Sequence, residues 1–131
     1  MTSEQEKNLI ERNFPRYGRQ IEIIPNCLNM SEYENIKIWR KPNTLIFTGP
    51  FKYYVNYEAM TWFVGKVFPL ILKQVPDAQL IITGDHANRP LPSSNNVTLA
   101  GYVDDIKTLI ASSYISIAPL LRGGRDTIKD P

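Results

Sequence analysis

Ser116 to Lys129, SIAPLLRGGRDTIK, holds the residues of this chain best suited to chemistry. An apolar run from Tyr114 to Ala118 stops at Pro119. Gly123 and Gly124 follow, set among Arg122, Arg125, Asp126, Thr127 and Lys129. Glycine lets backbone N–H groups come close to a ligand because no Cβ stands in the way. Such N–H groups, backed by Arg and Lys, favour an anionic group such as phosphate. The plainer reading is a buried strand followed by a surface turn, since short glycine motifs are common. The elements that position the segment weigh between the two.

Those elements become regular from Thr44 onward. Thr44 to Thr48 reads as an apolar strand closed by Gly49-Pro50. A loop with Lys52 follows, and Asn56 has the type and place of an N-cap, with Glu58 in the first turn. Ala59, Trp62, Phe63, Val67, Leu70 and Ile71 recur at helical spacing, so a helix from Asn56 to about Gln74 is predicted, kinked at Pro69 where Gly65 gives the ring room. Leu80 to Thr83 is a second strand, ending at Gly84-Asp85, and Val97 to Ala100 a third, ending at Gly101. Between them Asp85 to Asn96 is a polar, proline-rich loop. Asp104 or Asp105 caps a helix with Ile106, Leu109 and Ile110 inward, and Tyr114 to Ala118 is the fourth strand.

Apolar strands alternating with helices argue for an α/β fold, a Rossmann-like parallel sheet flanked by helices, with strand order 3-2-1-4. Ligands of such sheets bind outside the carboxyl ends of the strands, where the order reverses. The facing loops there are Gly49 to Asn56 and Pro119 to Lys129. Earlier in the chain, Ser3 and Glu6 have capping-box spacing for a short helix ended by Phe14-Pro15. Ile21 to Ile24 is a short β-branched strand closed by Pro25-Asn26.

The chain has 131 residues, a net charge of +2 and interspersed acidic residues, with no basic block of the kind nucleic-acid binders carry. One cysteine, Cys27, excludes an internal disulfide and a cysteine metal cluster, and fits a reducing compartment. The longest apolar stretch, Trp62 to Leu72, is broken by Gly65, Lys66 and Pro69 and is too short to span a membrane. With a polar, acidic N-terminus, a cytoplasmic location is expected.

Five pieces in order resemble one family. Phe47-Thr48-Gly49 through Asn56-Tyr57-Glu58-Ala59, then Trp62-Phe63, resembles G-x-x-x-x-x-P-N-x-x-A…W-F. Val75-Pro76-Asp77-Ala78-Gln79-Leu80 through Gly84 resembles P-D-x-x-L-x-I-x-G. Val97 to Val103 with Asp104-Asp105 resembles V-x-x-x-G-x-V-x-D. Ala118-Pro119-Leu120 with Arg122-Gly123-Gly124 and Lys129 resembles A-P-L…G-G-G-T-R-L-K, and Ile23-Ile24-Pro25-Asn26 resembles an I-P-N-G turn. Together they resemble a family-4-type retaining glycosyltransferase of the two-domain GT-B fold, in the group-1 lineage. Val55 replaces the usual proline, Cys27 the glycine of the turn, and Arg125-Asp126-Thr127 the Gly-Thr-Arg before the lysine.

The resemblance implies that residues 1–31 are a remnant of the N-terminal domain and inter-domain turn. It also implies that residues 44–131 are the first half of the donor-binding domain, without the following glutamate-bearing helix. The donor is then a nucleoside-diphosphate sugar, with no cofactor and no metal. It is held by Gly49, Lys52, Gly84, Gly101, Tyr102, Arg122, Gly123, Gly124 and Lys129, and Lys129 faces the diphosphate. No catalytic residue is assigned, and the isolated chain is expected to be inactive. Lys129 has a plainer reading as a solvated lysine, and His86, in a polar loop, reads as surface. The fourth strand is expected at an exposed sheet edge that favours pairing with another copy. The alternative is a non-catalytic Rossmann-like module that binds a nucleotide or a protein. An epimerase of related architecture fits less well, since its acid and base residues have no visible counterpart.

Overall fold

The structure, a computed structural model, describes residues 3–25, 27, 29–34, 36–92 and 94–121. It divides into two compact units, Met1–Asn35 and Ile36–Pro131. In the first unit, α1 spans Glu4–Asn13, and the Ser3 hydroxyl accepts from the Glu6 amide at 3.3 Å, as the capping spacing requires. A 3-10 turn follows at Pro15–Gln20, then α2 at Ser31–Glu34. Residues 21–25 form no strand, contrary to expectation. A β-branched run needs a partner ladder for its N–H and C=O groups, and no strand pairs with it among the described residues.

The second unit carries the sheet: β1 at Lys41–Thr48, β2 at Gln79–Thr83, β3 at Val97–Gly101 and β4 at Ser113–Ser116. All neighbours pair parallel, in the order β3-β2-β1-β4. The Rossmann-like α/β architecture expected of the sequence is the one observed. Thr44, Leu45, Ile46 and Phe47 are buried in succession, because central strand β1 is covered on both faces. Leu45, Phe47, Leu80 and Ile82 face Met60, Phe63, Val64 and Phe68 of the helix between β1 and β2. Ile46, fully buried, points to the other face. The α5 crossover, Ile106–Ser112, runs from β3 to β4 and packs on β4; the right-handed rule for parallel connections puts it on that face.

Asp105 caps α5, its carboxylate accepting from the Thr108 amide at 3.0 Å. Hydrogen bonds from the Thr108 side chain and backbone hold its pKa below the ordinary value. A depressed folded-state pKa means the cap is at full strength above the usual carboxylate range and weakens as pH falls through it. Where β1 and β4 slip register, buried Thr44 fills the gap. Its hydroxyl donates to Lys41 O and accepts from the Tyr114 amide at 3.1 Å. β4 is one edge of the sheet among the described residues, with Tyr114 and Ile115 about half exposed.

The long helix departs from expectation at both its start and its middle. It opens at Tyr54, with Tyr53 as an N-cap that makes no side-chain cap bond. Asn56 is not the cap: its Nδ2 reaches back to Pro50 O at 3.1 Å and ties the loop to the first turn. The helix runs as α3, Tyr54–Trp62, then a π turn, Phe63–Val67, then α4, Phe68–Gln74. The Phe68 amide donates to Phe63 O, five residues back. That widened turn accommodates the Pro69 ring where a regular helix would clash with the carbonyl of Gly65. Buried Thr61 Oγ1, just before it, has no hydrogen-bond partner. Thr61→Val removes the hydroxyl at constant shape. It is expected to raise stability by about 1 kcal/mol, read as a higher urea midpoint at unchanged slope. A lower midpoint would show that the hydroxyl is satisfied in solution.

Candidate functional site at the strand ends

The carboxyl ends of β1, β2 and β3 are laced together through their glycines. The Gly49 amide donates to Thr83 O at 3.3 Å, and the Gly84 amide to Gly101 O at 2.7 Å. Two residues beyond Gly49 and Thr83, the Phe51 amide donates to Asp85 O at 2.7 Å. These bonds set three loops side by side over the end of the sheet. Gly84 and Gly101 take left-handed backbone, φ +102° and +67°, which lets the chain turn sharply out of each strand.

Two adjoining hollows open there and share Gly84 and Tyr102. The larger, about 600 Å³, is lined by residues 84–89 with Leu99, Gly101 and Tyr102. The smaller, about 390 Å³, is lined by Thr48, Gly49, Pro50, Thr83, Gly84, Tyr102, Val103, Asp104 and Ile106. Tyr102 is 86% exposed, so its ring face is free to meet a ligand. Backbone edges, one open aromatic ring and the carboxylates of Asp85 and Asp104 make a surface suited to orienting a flat polar molecule. Among the described residues no group of three His, Cys, Asp or Glu converges as a metal centre.

The structure thus gathers four of the residues singled out in the sequence: Gly49, Gly84, Gly101 and Tyr102. Lys52 lines neither hollow. It is exposed, its ammonium 5.3 Å from the Tyr53 ring centroid. Arg122, Gly123, Gly124 and Lys129 lie outside the described residues.

Beyond Asp85, just past the end of β2, the β2–β3 loop supplies lining residues 86–89, which the sequence did not place at the site. The Asp85 carboxylate accepts from the Ala87 amide at 2.8 Å, and the Arg89 amide donates to His86 O at 2.9 Å. Ala87 and Asn88 between them have φ +49° and +53°. This is a turn of the I′ kind, which asks for positive φ at both central residues. Asn suits it, but Ala gives no such signal. His86, expected as plain surface, is half-buried. Its Nε2 lies 3.3 Å from Ile82 O, and its ring meets Phe51 edge-on at 5.3 Å.

No helix among the described residues is long and apolar enough to cross a membrane. None of the curated proteins compared with the chain matches it. The family model described as glycosyl transferases group 1 matches residues 42–128, which takes in all four strands but for Lys41, the glycine-ended turns and both hollows. With two thirds of its length so matched, on a fold of the expected topology, the chain belongs to the group 1 glycosyl transferases.

Proposed function

We propose that this chain is the donor-side part of a retaining glycosyltransferase of the two-domain GT-B type. In this reading residues 44–131 hold a nucleoside-diphosphate sugar, and residues 1–31 belong to the end of the acceptor-side domain and the turn between domains. The observation that carries the reading is the reversal of strand order at β1, which pairs with β2 on one side and β4 on the other. Connections leave these neighbours toward opposite faces, so a crevice opens at the carboxyl ends, where sheets of this kind bind nucleotides. The hollows at Gly49, Gly84 and Tyr102 lie on one side of it. Arg122, Gly123, Gly124 and Lys129 follow β4 in sequence and supply the other lip, with Lys129 on the diphosphate. No metal and no cofactor take part. The donor is bound but not turned over by this chain alone, the apolar edge of β4 is where copies associate, and the setting is cytoplasmic.

Saturation-transfer NMR with UDP, GDP and ADP tests the reading. One of the three is expected to give ligand signals, weakened about tenfold or more in affinity by Lys129→Ala, as for loss of a charge-assisted phosphate contact. Absence of signal from all three would count against a nucleotide site and leave the protein-binding module as the better reading.

A further inference from the structure

The β2–β3 connection, residues 84–96, has no helix among its described residues, unlike the other two connections of this sheet. A loop of this length needs fastening, and it is fastened along the helix that follows β1. Tyr57 Oη donates to Pro90 O at 2.9 Å, Leu91 packs against the core, and Pro92 abuts Gly65 of the π turn. A further fastening is Arg89, whose guanidinium lies 5.1 Å from the Tyr57 ring centroid and 5.8 Å from that of Tyr54. Arg89 also lines the larger hollow.

We propose that Arg89 is a positioning residue: held over the rings of Tyr54 and Tyr57, it fixes residues 85–90 as the wall of the ligand hollow. The role of that wall in binding rests on the nucleotide reading above. The turn at Ala87 and Asn88 needs such a clamp. An alanine at positive φ is unfavourable, and without an external hold the segment relaxes toward conformers that fill or flatten the hollow. A planar guanidinium over two rings holds direction as well as position, which an ammonium does not.

The test is amide hydrogen exchange on the full chain, paired with UDP, GDP and ADP titrations. Arg89→Ala and Tyr54→Ala are expected to speed exchange at residues 87 and 89 by about threefold to tenfold, with Leu80 of β2 and Ile117, whose amide just past β4 donates to Ile46 O, unchanged. Tyr54 is exposed, so its truncation leaves the core intact. Tyr54→Phe keeps the ring and is expected to restore wild-type exchange, while Arg89→Lys falls between. Affinity for whichever nucleotide binds falls in step with the loosening. Unchanged exchange at residues 87 and 89, or an equal rise at Leu80 and Ile117, would overturn the clamp. Loosening with unaltered affinity would overturn its positioning role. Loosening in a chain whose wild type binds none of the three nucleotides would uphold the clamp and overturn the nucleotide reading.

Discussion

Gly84→Ala is expected to destabilise the sheet unit by roughly 2–5 kcal/mol, as strain and overpacking together. Gly84 has φ +102°, a conformation that residues with a Cβ rarely adopt. A Cβ there would also lie 2.9 Å from Pro50 N and 3.1 Å from Gly49 C, both backbone atoms. That backbone cannot give way cheaply, because the Gly49 and Phe51 amides on either side are bonded to Thr83 O and Asp85 O. Gly101→Ala is the internal comparison. It shares a positive φ, +67°, but a Cβ there meets nothing within 4 Å. Its cost is expected near 1 kcal/mol, the conformational part alone. Urea unfolding of the two variants separates the contributions. Equal losses would mean that the close approach of the β1 and β2 loops does not constrain position 84. At the low end of the ordinary range of about 5–15 kcal/mol, the larger figure leaves Gly84→Ala only partly folded. Gly84 borders both hollows, so ligand binding is expected to be lost with it.

In the sheet unit, strand count, direction and order were legible because each strand holds an apolar run with glycine or proline at or soon after its end, and right-handed connections leave few ways to arrange four of them. The α5 cap at Asp105 was legible for a similar reason: it is a local bond between residues three apart. What the sequence hid is long-range. Asn56 looks like a cap by type and place, yet Pro50 O competes for its amide and the helix starts two residues earlier. Pro69 signals a kink, but only the packing of Phe63, Val64 and Phe68 on one face shows that a π turn absorbs it. Ile21 to Ile24 had the composition of a strand and no neighbour to pair with among the described residues.

The same distinction divides the site. Gly49, Gly84 and Gly101 were found because a strand-ending glycine marks the carboxyl end of a parallel sheet. Tyr102 came with them as the next residue. Arg89 and His86 were not found as lining residues. Their places depend on Tyr54, Tyr57 and Phe51, some thirty residues earlier, and on an alanine turn that composition does not flag. A motif reading of the connection between β2 and β3 sees only prolines and polar residues.

Phe51 shows how much energy such a hidden contact carries. In the sequence it is one loop residue beside Lys52. In the structure it is fully buried and belongs to the central cluster with Leu45, Phe47, Met60, Leu80 and Ile82. Its ring meets Tyr57 edge-on at 5.6 Å and His86 edge-on at 5.3 Å, while its amide holds Asp85 O. One side chain thus joins the core to the start of α3 and to the wall of the larger hollow. Phe51→Ala is expected to cost about 3–5 kcal/mol, the range for emptying an aromatic site in a core that collapses only partly. Phe51→Leu keeps most of the apolar volume and is expected to recover at least half of that. Lys52→Ala, one residue on and exposed, should fall within about 0.5 kcal/mol of wild type. Urea midpoints rank the three. The ring protons of His86 give a second, local readout: in Phe51→Leu they should lose the upfield or downfield displacement that an edge-on aromatic neighbour imposes, even where the fold is kept. A Phe51→Ala variant within 1 kcal/mol of wild type would mean that the β1–α3 loop is packed independently of the core. Residues 85–89 would then be held by the backbone bonds at Gly84 and Asp85 and by Tyr57 and Arg89, without help from the Phe51 ring.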